Sequence, residues 1–203
     1  MTITVPRCVR WLSRIFLAGA PLLGGCNLLP MVTNQTQEKS EKDVALGIPS
    51  KHSFRVSQFV FLHDFALPRE APIFKELGIL REQVYRDLRL PPSSTDVFVY
   101  LFEDKQHYEN FIHKKYPQLP DRRAYFVKQA RRLGGNEDLM VYTYWGEKIQ
   151  EDLRHELTHA LLNSVLKSVP IWLDEGLAEY FEVPRGWKGI NPQHVEKDRK
   201  SVV

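Results

Sequence analysis

The sequence predicts an α+β fold. Strand-like and helix-like segments alternate up to about residue 145, and the last two ordered segments are both helical. The length of 203 residues is enough for one domain with its own core. A hydrophobic content of 43% and a charged content of 26% are those of an ordinary globular protein.

The elements follow in order. "FRVSQFVFLHDF", 54–65, has the β-branched and aromatic content of a strand. Pro72 then precedes an amphipathic helix over 73–90, with Leu77, Leu80, Val84 and Leu88 on one stripe and Pro91 and Pro92 ending it. "DVFVYLFE", 96–103, reads as a strand and 105–116 as a short helix. A further strand is expected over 122–129, and Gly134 with Gly135 opens a turn. "DLMVYTYW", 138–145, alternates like a strand at a sheet edge. A long helix from about Glu147 to Lys167 comes next. A shorter one over 172–181 follows, which Ser168 can cap and Pro170 can start.

The folded domain is expected to span 51–197. Before it, Arg7, Arg10 and Arg14 precede the apolar run Ile15–Leu23, too short to span a bilayer but suited to a signal-peptide core. Leu23, Gly24, Gly25 and Cys26 then match, position by position, the lipobox of bacterial lipoproteins. This resemblance implies a signal peptide over 1–25, a lipid on Cys26 and attachment to a membrane of the cell envelope. Asn27 after the cysteine resembles the pattern of outer-membrane destination. Residues 26–50 are polar and weakly patterned, as a flexible tether would be. Cys8 lies in the part removed, so no internal disulfide is expected.

The formal net charge of +3 sits in that leader, and the rest is neutral overall. Neither a basic face nor a nucleic-acid-binding motif is present.

The chemistry is concentrated in "LRHELTHALL", 153–162. His155 and His159 stand four apart, so a helix presents both rings on one side, close enough to hold one ion. Glu156 flanks that face, where a water on the ion would sit. A plain ion pair of Glu156 with Arg154 or Lys167 is the competing reading. A third ligand decides between them, and "WLDEGLAEYF", 172–181, offers it if the two helices run back to back. Two imidazoles and one carboxylate leave a fourth position open, as a catalytic zinc site does.

"HELTHALL" and "WLDEGLAEYF" together resemble the gluzincin metallopeptidases of the peptidase-MA-like group. The resemblance covers about residues 155–182, and more loosely the element order from residue 51. It implies a zincin-like domain with His155, His159 and Glu175 as Zn2+ ligands and Glu156 as catalytic base. A peptide or protein is then the substrate. The spacing from His159 to Glu175 is shorter than in several gluzincins, so Asp174 and Glu179 stand as alternative third ligands. Glu179, a turn beyond Glu175, is also placed to hold the second nitrogen of a ligand histidine.

The resulting expectation is a zinc-dependent peptide-bond hydrolase tethered to the envelope. A non-catalytic, zinc-stabilised binding lipoprotein is the alternative, against which the retained Glu156 argues. His52, His63, His107 and His113 lack partners at ligand spacing and are expected to be structural. Gluzincins draw an oxyanion-stabilising tyrosine or histidine from beyond the glutamate helix. His194 is the sole, poor candidate here. That gap, and the match of "DRKSVV", 198–203, to sequencing-adapter coding, lead to the expectation of a domain cut short with a non-native tail.

Overall fold

The computed structural model describes residues 45–130 and 137–192. Cys26, the signal peptide, the tether as far as residue 44, the Gly134–Gly135 turn, His194 and the 198–203 tail lie outside the described residues.

The fold is α+β, with one five-stranded mixed sheet. In chain order the elements are β1 (His52–Val56), β2 (Phe59–His63), α1 (Pro72–Asp87), β3 (Val97–Phe102), α2 (Lys105–Lys115), β4 (Ala124–Ala130), β5 (Glu137–Tyr144), α3 (Ile149–Val165) and α4 (Ile171–Glu182). The strands lie in the order β1-β2-β3-β5-β4. The central β2–β3 and β3–β5 pairs are parallel, and the two outer pairs are antiparallel.

Three sequence expectations are corrected. The single strand over 54–65 is a hairpin, with Val56 paired to Phe59 around Ser57 and Gln58. Ser57 takes a positive φ of 55°, so the turn exists without the glycine or asparagine that would announce it. β5 is not an edge strand: it lies between β3 and β4 and is covered on both faces. Met140 and Tyr142 pack against α2, with the Phe111 and Tyr142 rings 5.5 Å apart. Ser168 does not cap α4. Pro170 is the N-cap, and its carbonyl accepts from the Leu173 and Asp174 N–H groups, both at 2.9 Å.

Packing also begins before Lys51. Ile48 is buried in the second core, and Asp64 Oδ1 accepts from the backbone N–H groups of Ser50 and Lys51, each at 2.7 Å.

The sheet separates two apolar layers. On one face Val97, Val99 and Leu101 meet α1 and α3 through Leu77, Leu80, Leu153, Leu157 and Leu161. On the other, Phe102, Tyr125 and Tyr142 meet Tyr108, Phe111 and Ile112 of α2. α4 packs on α3 rather than on the sheet. No helix among the described residues is long and apolar enough to cross a membrane.

Leu77 is fully buried in the larger layer, far along the chain from α3 and α4. Leu77→Ala is expected to lower stability by about 2–5 kcal/mol, the usual cost of an unfilled core cavity. Urea unfolding followed by circular dichroism measures it. A loss within error of zero would show that α1 is not docked as described.

Candidate metal centre

α3 is buried almost all round, which explains the oily context of its two histidines: Leu157, Ala160 and Leu161 are core. The helical spacing brings the His155 and His159 rings to 5.0 Å between centroids, at 76° to each other. His159 is 2% exposed, and its ring stacks on Phe126 of β4 at 6.2 Å. His155 lies nearer the surface.

α4 runs antiparallel to α3, as the order of contacts requires: His159 meets Asp174 and Glu175, and His155 meets Glu175 and Glu182. Glu175 Oε2 lies 3.7 Å from His155 Nε2 and 3.8 Å from His159 Nε2. Ligand atoms of the three residues all fall within 4.8 Å of one another. An ion with donors about 2 Å away needs them roughly 3 to 4 Å apart, so this group could hold a metal ion.

The far nitrogens are also engaged. His155 Nδ1 is 3.2 Å from Glu182 Oε2, and His159 Nδ1 is 3.0 Å from Asp174 Oδ2. The hydrogen bond to Glu182 favours the His155 tautomer that carries its proton on Nδ1 and leaves Nε2 free to bind an ion, whereas Asp174 lies beside His159 Nδ1 without hydrogen-bond alignment. The histidine-orienting place expected of Glu179 is therefore taken, at His155, by Glu182. Asp174 sits on the Nδ1 side of His159, so Glu175 is the carboxylate that meets both Nε2 atoms. Glu179 instead lines a cavity of about 310 Å³ beside the histidines. Arg122, Arg123, Glu151 and Asp152 line it too, and it reaches His155 and Glu156.

Glu156 is half-buried on the same flank. Burial pushes its carboxyl above the usual carboxylate range, against the pull of His159 and His155 and of the Phe126 backbone N–H. An ion pair of Glu156 with Arg154 is not what forms. Arg154 is buried and turns to α4, where Nε donates to Glu182 O at 3.0 Å and Nη2 to Val183 O at 2.8 Å.

Sequence reasoning missed Asp174 as a histidine partner, and it missed Glu182, Arg154 and Arg123. Glu182 left a weak trace: it lies two turns beyond Glu175 on the same helix face. Arg123 left none, since only the fold brings it to Asp152, 2.9 Å from Nε to Oδ1, and to Glu151, 3.0 Å from Nη2. That pair fastens the start of β4 to the first turns of α3. His52, His63, His107 and His113 do not join the group. His63 Nδ1 meets Phe65 O, while His107 and His113 meet Asp104 and Asp121.

His155 makes the metal-free protein sensitive to pH. Burial opposes the charged form of His155, but the hydrogen bond to Glu182 and the charges of Glu156, Glu182 and Glu175 outweigh it and raise its pKa. A raised folded-state pKa stabilises the protein fully below the unfolded value, about 6.5, and that contribution fades as pH rises through the folded value. Metal-free protein should thus lose stability as pH rises from about 6.5, and Glu182→Gln should flatten the loss. Thermal unfolding of chelator-treated protein across that range measures it. An equal slope in both proteins would refute the coupling.

No protein-family model matches this chain, and no curated protein matches its sequence.

Proposed function

We propose that this chain is a zinc-dependent peptide-bond hydrolase of the gluzincin kind, with a zincin-like domain held at the bacterial cell envelope by a lipid on Cys26. The observation that carries the reading is the convergence of His155, His159 and Glu175 from two antiparallel helices, with the carboxyl of Glu156 beside them. Two neutral imidazoles and one carboxylate are a donor set suited to zinc, and three protein ligands leave a position for water or substrate. A purely structural zinc site has four protein ligands and no use for a base.

Zinc at this site would supply a Lewis acid that polarises a carbonyl and makes a bound water acidic. The chain's own residues do the rest. Glu156, whose pKa burial raises, would accept the water's proton and hand it to the departing amine. Glu182 would keep His155 in the tautomer that faces the ion, and Asp174 lies beside the far nitrogen of His159. β4 is an outer strand of the sheet and β5 is not, so among the described residues the β4 edge is the one beside the histidines that could receive an extended peptide. Phe126 of that strand touches both His159 and Glu156, which would lay such a peptide across the metal group.

The test is metal analysis of the purified protein together with a peptide-library cleavage assay. One zinc per chain and metal-dependent cleavage support the proposal. Zinc without cleavage of any peptide favours the binding lipoprotein, and absence of zinc overturns both. Cys26→Ser, followed by membrane fractionation and palmitate labelling, tests the anchor separately: equal labelling of both proteins removes it.

A further inference from the structure

Arg154 is a charged residue in an expensive place. It is 3% exposed, and no carboxylate among the described residues pairs with it. A buried charge is ordinarily neutralised by a partner or replaced by an apolar residue. Here the guanidinium is satisfied by the two carbonyls that end α4, Glu182 O and Val183 O. Those carbonyls belong to the end of α4, beyond the i to i+4 pattern of the helix, and stand at the negative end of its dipole. One planar fork from α3 thus caps α4 across the helix interface.

The position of this cap is what matters. Arg154 directly precedes the metal-group residue His155, and Glu182, whose carbonyl it holds, is the residue whose carboxylate meets His155 Nδ1. The other carboxylate oxygen, Glu182 Oε1, accepts from Asn191 Nδ2 at 2.6 Å. Asn191 is itself buried and comes from the chain beyond α4, after the single 3-10 turn Arg185–Trp187. Glu182 is therefore gripped by its backbone from one side and by its side chain from another. Its remaining oxygen is left aimed at His155.

We propose that Arg154 and Asn191 are positioning residues that form a latch on Glu182, setting the angle of the His155 ring and the approach of α4, with Glu175, to the histidine pair. Neither touches the ion. The inference rests on the metal-centre reading above, and goes beyond it by assigning affinity to residues outside the ligand set.

The latch predicts a pattern that simple loss of stability does not. Arg154→Lys keeps the charge but replaces the two-nitrogen planar fork by a single ammonium, which cannot reproduce the spacing of Nε and Nη2 on the two carbonyls, so it should behave more like Arg154→Met than like the parent. Both should bind zinc about ten- to a hundredfold more weakly, the usual effect of losing a partner behind a ligand. Asn191→Ala leaves the buried cation in place and so keeps the proposal testable if the Arg154 variants fold poorly. It should weaken zinc several-fold in the same direction.

The experiment titrates full-length protein with zinc against a chromophoric chelator. Alongside it, unfolding of the metal-free form is followed, and the imidazole nitrogens of His155 are recorded by NMR in the zinc-loaded form. The latch is supported if affinity falls and the Nδ1–H signal of His155 shifts or exchanges faster, while metal-free protein still unfolds cooperatively. Unchanged zinc affinity and an unchanged His155 signal in the variants overturn it, whether or not they unfold at lower temperature. Recovery of full affinity in Arg154→Lys also overturns it, because charge alone would then suffice. Wild type that takes up no zinc removes the metal centre itself, and the latch with it.

Discussion

Glu156→Gln is expected to leave the metal content of the protein unchanged and to reduce peptide hydrolysis by a factor on the order of 10² to 10⁴. That range corresponds to about 3 to 5 kcal/mol of transition-state stabilisation. The amide has nearly the shape of the carboxylate and can still meet the Phe126 backbone, but it cannot accept a proton. The proposed ligands His155, His159 and Glu175 are unchanged by the substitution. The check is kcat and KM on a cleaved peptide, with zinc measured on the same preparation. A fall in kcat with KM nearly constant marks a group that acts in the transition state. A variant as active as its parent would remove Glu156 from the mechanism. A variant that loses its zinc would instead make Glu156 part of the metal group.

His159→Ala is expected to have the largest effect on metal binding. Structural zinc sites bind with apparent free energies of about 10–16 kcal/mol shared over their ligands, so one ligand carries roughly 3 kcal/mol or more. Zinc affinity should fall on the order of a hundredfold at least. His159 should also be more damaging to lose than His155, for reasons outside the ligand role. Its ring is buried against Phe126, and its removal leaves Asp174, itself buried, without the imidazole 3.0 Å away. A buried carboxylate stripped of a partner destabilises the fold. Emission analysis of purified wild type and variant measures the metal, and thermal unfolding of the metal-free proteins measures the second effect. Equal zinc in the two proteins would refute the assignment. Equal metal-free stability would show that Asp174 does not depend on His159.

The sequence by itself determined what depends on neighbours along the chain. The i, i+4 pair of His155 and His159 needs only a helix, and the run of strong helix formers around it, rich in leucine and alanine, is enough for that helix to be read. The α+β class, the strand at β3 and the succession of α3 and α4 follow from the same local periodicities. Glu175 is expected opposite the histidines only through the resemblance to gluzincins; the spacing alone leaves Asp174 and Glu179 open as well.

Tertiary structure decided whatever depends on which strands and helix ends are neighbours in space. β5 has the alternation of an edge strand, yet β4 takes the edge. A strand's place in a sheet is set by pairing and by the helices that cover its faces, and period two reports only that it has two faces. The same holds for the histidine partners. Glu179, a turn from Glu175, was the nearer choice, but α4 crosses α3 so that Asp174 and Glu182 reach the Nδ1 atoms. Arg154 was legible only as a charge beside a glutamate. A guanidinium can reach several ångströms in many directions, and its choice of the α4 carbonyls was fixed by where that helix ends against α3.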